Sequence, residues 1–162
     1  MFTTEFNIFG TGEGNIGGLE GGTTNDKTTL YKLTAETHPS MITNTEEYKS
    51  ASSSANSALI CKNNGKVYGV ASDGGTIGTP ISGGGAVNNF TEILDSGHTG
   101  NSFNAKQVAC GDNHSVILNN DGTVLTSGTS TSNGVLGQDS TATVGVLGFN
   151  TISWKPIGES IA

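Results

Sequence analysis

Residues 106–128 read KQVACGDNHSVILNNDGTVLTSG, and residues 49–71 read KSASSSANSALICKNNGKVYGVA. Placed one beneath the other they keep a constant offset of 57, from Lys49 to Lys106, Gly65 to Gly122 and Val67 to Val124. Each stretch reads as a strand of small residues, an apolar strand, a turn and a returning strand. The apolar strands are Ala58-Leu59-Ile60-Cys61 and Ser115-Val116-Ile117-Leu118, and the turns are Asn63-Asn64-Gly65 and Asn120-Asp121-Gly122. Asn-Gly and Asp-Gly are the dipeptides of a two-residue hairpin whose central residues take positive φ, so a hairpin is predicted at each turn. A repeat on this scale decides the architecture before any single element does.

Outward from the hairpins the register continues. Gly-x-Ile/Leu-Gly recurs after each returning strand, as Gly14-Asn15-Ile16-Gly17, Gly75-Thr76-Ile77-Gly78 and Gly134-Val135-Leu136-Gly137. The apolar residue is expected to plug the core while the glycines allow a sharp turn beside it. Ahead of the first of these, Asn7-Ile8-Phe9-Gly10 matches Lys66-Val67-Tyr68-Gly69 at an offset of 59, and the hairpin arm before it is absent. A short apolar element closes each unit: Leu30 to Leu33, Phe90 to Leu94, and Trp154 to Ile157. Gly83 to Asn89 and Gly97 to Asn104 read as surface loops. The recurring aromatics Phe6, Phe9, Tyr31, Tyr68, Phe90 and Trp154 read as core packing.

The totals agree with an all-β chain. Of 162 residues, 33% are hydrophobic, 13% are charged and 25 are glycine, which suits short strands and tight turns. Seven basic and fourteen acidic residues give a formal charge of −7, with no Lys/Arg cluster, so nucleic acid and anionic membranes are disfavoured as partners. No secretory signal or membrane-spanning run is visible in the sequence. Cys61 and Cys110 lack metal-ligand spacing and read as buried thiols rather than a disulfide.

These repeats resemble those of the regulator of chromosome condensation family. Val108-Ala109-Cys110-Gly111, His114, Asp121-Gly122 and Gly134 to Gly137 carry the likeness, strongest from Lys106 to Gly137. In the second unit Ala51-Ser52-Ser53-Ser54 replaces the cysteine-glycine signature, and Ser57 stands where His114 does. The resemblance implies a β-propeller of four-stranded blades acting as an interaction platform. It also implies a structural role for His114, with its ring hydrogen-bonded between blades. The expected fold is a single all-β, propeller-like domain over 1–162, incomplete, with units near 6–45, 46–104 and 105–157 and the first truncated.

Catalytic chemistry finds little support. Gly12-Glu13-Gly14-Asn15-Ile16-Gly17 fits a dinucleotide fingerprint, but the glycine-rich stretch after it will not start the helix that a pyrophosphate needs. Asp112, His114 and Ser115 are close in sequence, yet strand neighbours point to opposite faces. Asn119 to Gly122 lacks the spaced carboxylates of a calcium loop, His38 and His98 are isolated in loop-like sequence, and Glu5, Glu13 and Glu20 read as solvated. No cofactor or metal is expected. The sequence points instead to a non-enzymatic subunit of a multi-copy assembly, such as a phage or virus particle component (decoration or tail-associated), or alternatively to a protein-recognition module; a glycan-acting enzyme ranks third, behind both. Unpaired blade edges invite aggregation unless covered. The expected partners are therefore other protein subunits, either further copies or a different chain, with Phe6, Ile8, Phe9, Trp154 and Ile157 as candidate interface residues.

Overall fold

A computed structural model describes residues 7–12, 26–39, 41–42, 48–78, 85–95, 101–128, 136 and 150–151. Among the described residues, ten strands form three antiparallel sheets. Strands β1 (Phe9–Gly12) and β2 (Lys27–Lys32) make a two-stranded sheet. Strands β3 (Tyr48–Ser53), β4 (Ser57–Lys62), β5 (Val67–Ala71) and β6 (Val87–Ile93) follow in sequence order as a four-stranded meander. A second meander contains β7 (Ala105–Cys110), β8 (His114–Asn119), β9 (Val124–Gly128) and β10 (Asn150–Thr151). The fold is all-β and has the blade pattern of an incomplete propeller.

Both hairpins sit where the sequence places them, but their turns differ from the two-residue type. Gly65 N–H donates to Lys62 O, and Lys62 N–H donates to Lys66 O, each at 2.9 Å. In the later hairpin Gly122 N–H donates to Asn119 O and Asn119 N–H donates to Thr123 O. Positive φ is confined to the glycines, +86° at Gly65 and +89° at Gly122. The loops are therefore three-residue hairpins, a tight turn followed by a glycine in the left-handed region. Asn64 and Asp121 brace them by accepting through Oδ1 from Lys66 N–H and Thr123 N–H. That geometry asks left-handed backbone of one residue instead of two, which is why Asn-Asn-Gly and Asn-Asp-Gly serve equally.

Alternation along the strands sorts the apolar residues into two cores. One lies between the two four-stranded sheets and includes Leu59, Cys61, Val67, Ile77, Ile93, Phe103, Val108, Ile117 and Leu125. The other lies on the opposite face of β3–β6, where Ile60, Tyr68, Val70 and Phe90 meet Leu33, Met41 and the β1–β2 side. The middle sheet is thus covered on both faces, and all of β5 and nearly all of β4 is buried. The plug of the second unit is a 3₁₀ turn, Gly74–Ile77, capped at its start by the Asp73 side chain and closed by Gly78 at φ +68°. Ile77 is fully buried there, and Ser127 Oγ of β9 donates to Gly75 O at 2.8 Å, tying the turn to the neighbouring sheet.

Three expectations need correction. Val87 to Asn89, read as loop, opens β6. Within the stretch read as the loop Gly97–Asn104, Ser102 bridges Leu94 and Phe103 is buried in the first core. Phe9 is 53% exposed and so is not core. Its counterpart Tyr68 is buried because a preceding sheet covers that face.

Candidate interaction seam and open edge

The sheets meet along a seam between β3 and β7, and small residues make it. Cys110 N–H donates to Ser52 Oγ at 3.0 Å, and the Cys110 thiol donates back to Ser52 O at 3.4 Å. Val108 N–H donates to Ser50 Oγ at 3.4 Å, whose hydroxyl lies 3.5 Å from Val108 O. Lys49 Nζ and Cys61 Sγ both donate to Ala105 O, and Asn56 Nδ2 to Asp112 O. At the hairpin end Ala105 N–H donates to Gly65 O at 2.9 Å. Side-chain hydroxyls thus satisfy backbone groups of an edge strand that has no ladder partner on that side.

Both cysteines are free thiols, Cys61 buried and Cys110 half-buried. Burial raises the pKa of each, opposed at Cys61 by the charge of Lys49 and at Cys110 by hydrogen bonds led by Ser57 and Ser115. Neither is the activated thiolate of a nucleophilic site.

His114 has no ring hydrogen bond among the described residues. Its imidazole lies against Gly111, where a Cβ would collide with it. The two sit at the mouth of the β7–β8 turn, closed by Gly111 N–H donating to His114 O. One unit earlier Ser54 N–H donates to Ser57 O in the same way, and the Ser54 and Ser57 hydroxyls lie 3.1 Å apart. Ser115 is fully buried and Asp112 exposed, and no relay joins them to His114.

Other sequence-singled residues fall as follows. Gly65 and Gly122 occupy the hairpin turns, and Gly75, Ile77 and Gly78 form the plug. Leu136 is buried, its carbonyl accepting from Thr126 Oγ1 at 2.8 Å. His38 is not a loose loop residue: it is 3% exposed, with Nδ1 2.8 Å from Thr37 Oγ1 and its ring edge-on to Phe90. Phe6, Gly14, Ile16, Gly17, Gly134, Gly137, Trp154 and Ile157 lie outside the described residues, as does His98. No group of three or more His, Cys, Asp or Glu that could hold a metal occurs among the described residues. None of the described helices is long and apolar enough to cross a membrane.

Sequence reasoning missed two features. Lys62 is 1% exposed, its ammonium 4.7 Å from the centroid of the Tyr68 ring. The other is an open edge. Leu33 N–H donates to Ile8 O at 3.0 Å, so the alternation of an antiparallel ladder turns the backbone groups of Phe9 away from β2; the register shifts between Gly10 and Gly12, where Thr11 Oγ1 donates to Lys27 O at 2.7 Å. Among the described residues β1 pairs with β2 alone. Beside that edge lies a cleft of about 630 Å³, walled by Phe9 and Thr11 on one side and by Ala51, Ser53, Ala58 and Ile60 on the other.

Residues 105–134 match the family described as Regulator of chromosome condensation (RCC1) repeat. No curated protein matches the sequence. Among solved structures, human WBSCR16 superposes with a TM-score of 0.65 at 17% identity, covering 93% of this chain and 34% of that one. Yeast RCC1 (Prp20), solved with Kap60 bound, gives a TM-score of 0.68 at 12% identity over 92% of this chain and 32% of that one. Prp20p from Saccharomyces cerevisiae gives 0.62 at 18% identity, over 89% and 33%. The chain spans about a third of the length of each. Residues 105–134 thus match the RCC1 repeat, and the chain has the fold of an incomplete β-propeller, similar to that of these RCC1 structures.

Proposed function

We propose that this chain is a non-catalytic protein-recognition module. The observation that carries the reading is its RCC1-type propeller fold, which presents blade edges and faces rather than a converging set of reactive groups. Among the fold's other members, yeast RCC1 (Prp20) was solved bound to Kap60, and Prp20p is described by its binding to Gsp1p and histones. Protein is the partner class those structures favour. They favour it over the particle subunit that the sequence also suggested, for which the fold offers no specific feature. Exposed apolar side chains on the first sheet, Leu30 at 73% and Phe9 at 53%, supply contact surface of the kind recognition needs.

The test is crosslinking of the folded chain to its neighbours in its native cell or particle, followed by reconstitution of each pair from purified components. A saturable one-to-one complex with a protein supports the reading. Failure of every purified candidate to bind, or turnover of a small molecule by the chain, would overturn it.

A further inference from the structure

The open edge of β1 has a counterpart inside the molecule that shows what it is shaped for. Ile8 matches Val67 at the offset of 59, and the Leu33–Ile8 bond matches the Ile93–Val67 pair, so β1 and β2 correspond to β5 and β6. In the second unit, β4 occupies the outer edge of β5, with Ile60 opposite Tyr68 and Ala58 opposite Val70. By the offset of 59 those positions are Phe9 and Thr11, both of which line the cleft.

The floor of the cleft repeats the seam. β7 receives the Ser50 and Ser52 hydroxyls on the backbone of Val108 and Cys110. The residues 57 positions earlier are Ala51 and Ser53, on the edge strand β3, both exposed and both lining the cleft. One wall of the cleft therefore offers ladder groups, and the other offers the backbone groups that hydroxyl side chains satisfy at the seam.

We propose that this cleft is a docking site for a two-stranded β-hairpin of a partner polypeptide. One partner strand adds to β1 beside Phe9 and Thr11. The other lies over β3 and carries Ser or another small hydroxyl residue at alternate positions, as β3 itself does toward β7. Strand addition supplies the affinity through backbone hydrogen bonds, and the small-residue alternation supplies the selectivity. The inference rests on the protein-recognition reading and assigns it a place and a partner chemistry.

The probe is a synthetic peptide with the sequence of residues 48–62, YKSASSSANSALICK, which already forms this hairpin within the chain. Titrated under reducing conditions into the intact protein, it is expected to bind saturably and to shift the amide resonances of Phe9, Thr11, Ala51 and Ser53. A peptide with Ala in place of both Ser50 and Ser52 is expected to bind about tenfold more weakly. Phe9→Pro removes the outward N–H, and Ala51→Arg fills the cleft from the opposite wall; each is expected to abolish the shifts while the near-ultraviolet spectrum stays native. Two variants on different sheets keep the test readable if one fails to fold. No saturable shift, shifts away from these four residues, or binding that survives both variants would overturn the proposal. A protein that captures partners with the cleft variants as well as without them fails this inference alone; one that captures no partner fails the broader reading.

Discussion

The imidazole of His114 rests on the bare Cα of Gly111, and one unit earlier the same two positions are Ser57 and Ser54, joined hydroxyl to hydroxyl at 3.1 Å. The turn between the first two strands of a unit is thus closed either by a ring over a glycine or by two serines. A mixed pair fits neither arrangement. Gly111→Ser is expected to cost about 1–3 kcal/mol by crowding the ring. In the Gly111→Ser/His114→Ser double variant much of that loss is expected to return, giving a coupling of about 1 kcal/mol or more in a urea-unfolding cycle. Strict additivity would refute the pairing.

The two hairpin glycines share a conformation but not surroundings. Both Gly65 and Gly122 hold positive φ, so alanine at either is expected to cost about 1 kcal/mol for the strained backbone. At position 65 the new Cβ would also lie 2.9 Å from Asn104 Cα and 3.1 Å from Ala105 N, whereas nothing lies within 4 Å at position 122. Those neighbours are main chain and cannot swing aside. Gly65→Ala is therefore expected to lower the thermal midpoint clearly further than Gly122→Ala. Equal shifts would mean that the turn does not press on the next unit.

At the seam, Ser52→Ala leaves the Cys110 N–H without its 3.0 Å acceptor, at an expected cost of about 1–2 kcal/mol. Ser50→Ala removes contacts of 3.4 and 3.5 Å and is expected to cost less. Chemical denaturation of the two single variants tests the order, and the reverse ranking would place the seam's strength elsewhere.

Removing the plug is expected to be strongly disruptive. Ile77 is fully enclosed between the sheets, so Ile77→Ala is expected to cost about 2–5 kcal/mol through lost transfer energy and the cavity left behind. A loss below about 1 kcal/mol would show that the 3₁₀ turn collapses into the gap.

The thiols give a pH dependence with a definite sign. Burial holds both above the ordinary value of 9.0, so at high pH the unfolded chain loses thiol protons that the folded chain keeps. Their contribution to stability is complete below pH 9 and is lost as pH rises through the folded values. Denaturation between pH 8 and 10 should show wild-type stability falling more steeply than that of a Cys61→Ser/Cys110→Ser variant. Native thiols should also alkylate far more slowly than in urea. Identical slopes would remove the thiols as the cause.

What the sequence made legible was local. Asn-Gly and Asp-Gly fix a turn within four residues, and the 57-residue register carried that turn and its flanking strands from one unit to the next, while the Gly-x-Ile/Leu-Gly motif recurs at intervals of 61 and 59. The seam was not legible in the same way. Ser50 and Ser52 read as ordinary small strand residues until β7 is seen beside them, and the lost cysteine-glycine signature looked like decay when it is a different solution to the same turn. Phe103 escaped notice because it sits in a polar stretch. Lys62 escaped because a lysine beside a turn suggests solvent, yet it is buried with its ammonium over the Tyr68 ring. The propeller resemblance implied a ring hydrogen bond between units for His114; among the described residues its ring lies against Gly111 of its own sheet.

The middle sheet is a wall shared by two cores, and that has a consequence for how the molecule opens. The first sheet can peel away and expose one core, and the third can do the same for the other, each leaving the rest paired. The middle sheet has no such private transition, because losing β4 and β5 dissolves both cores together. Amide protons there should report the global free energy, while those at either flank report smaller openings of their own. In this fold resistance to exchange belongs to position in the array: a strand gains it by having neighbours on both sides.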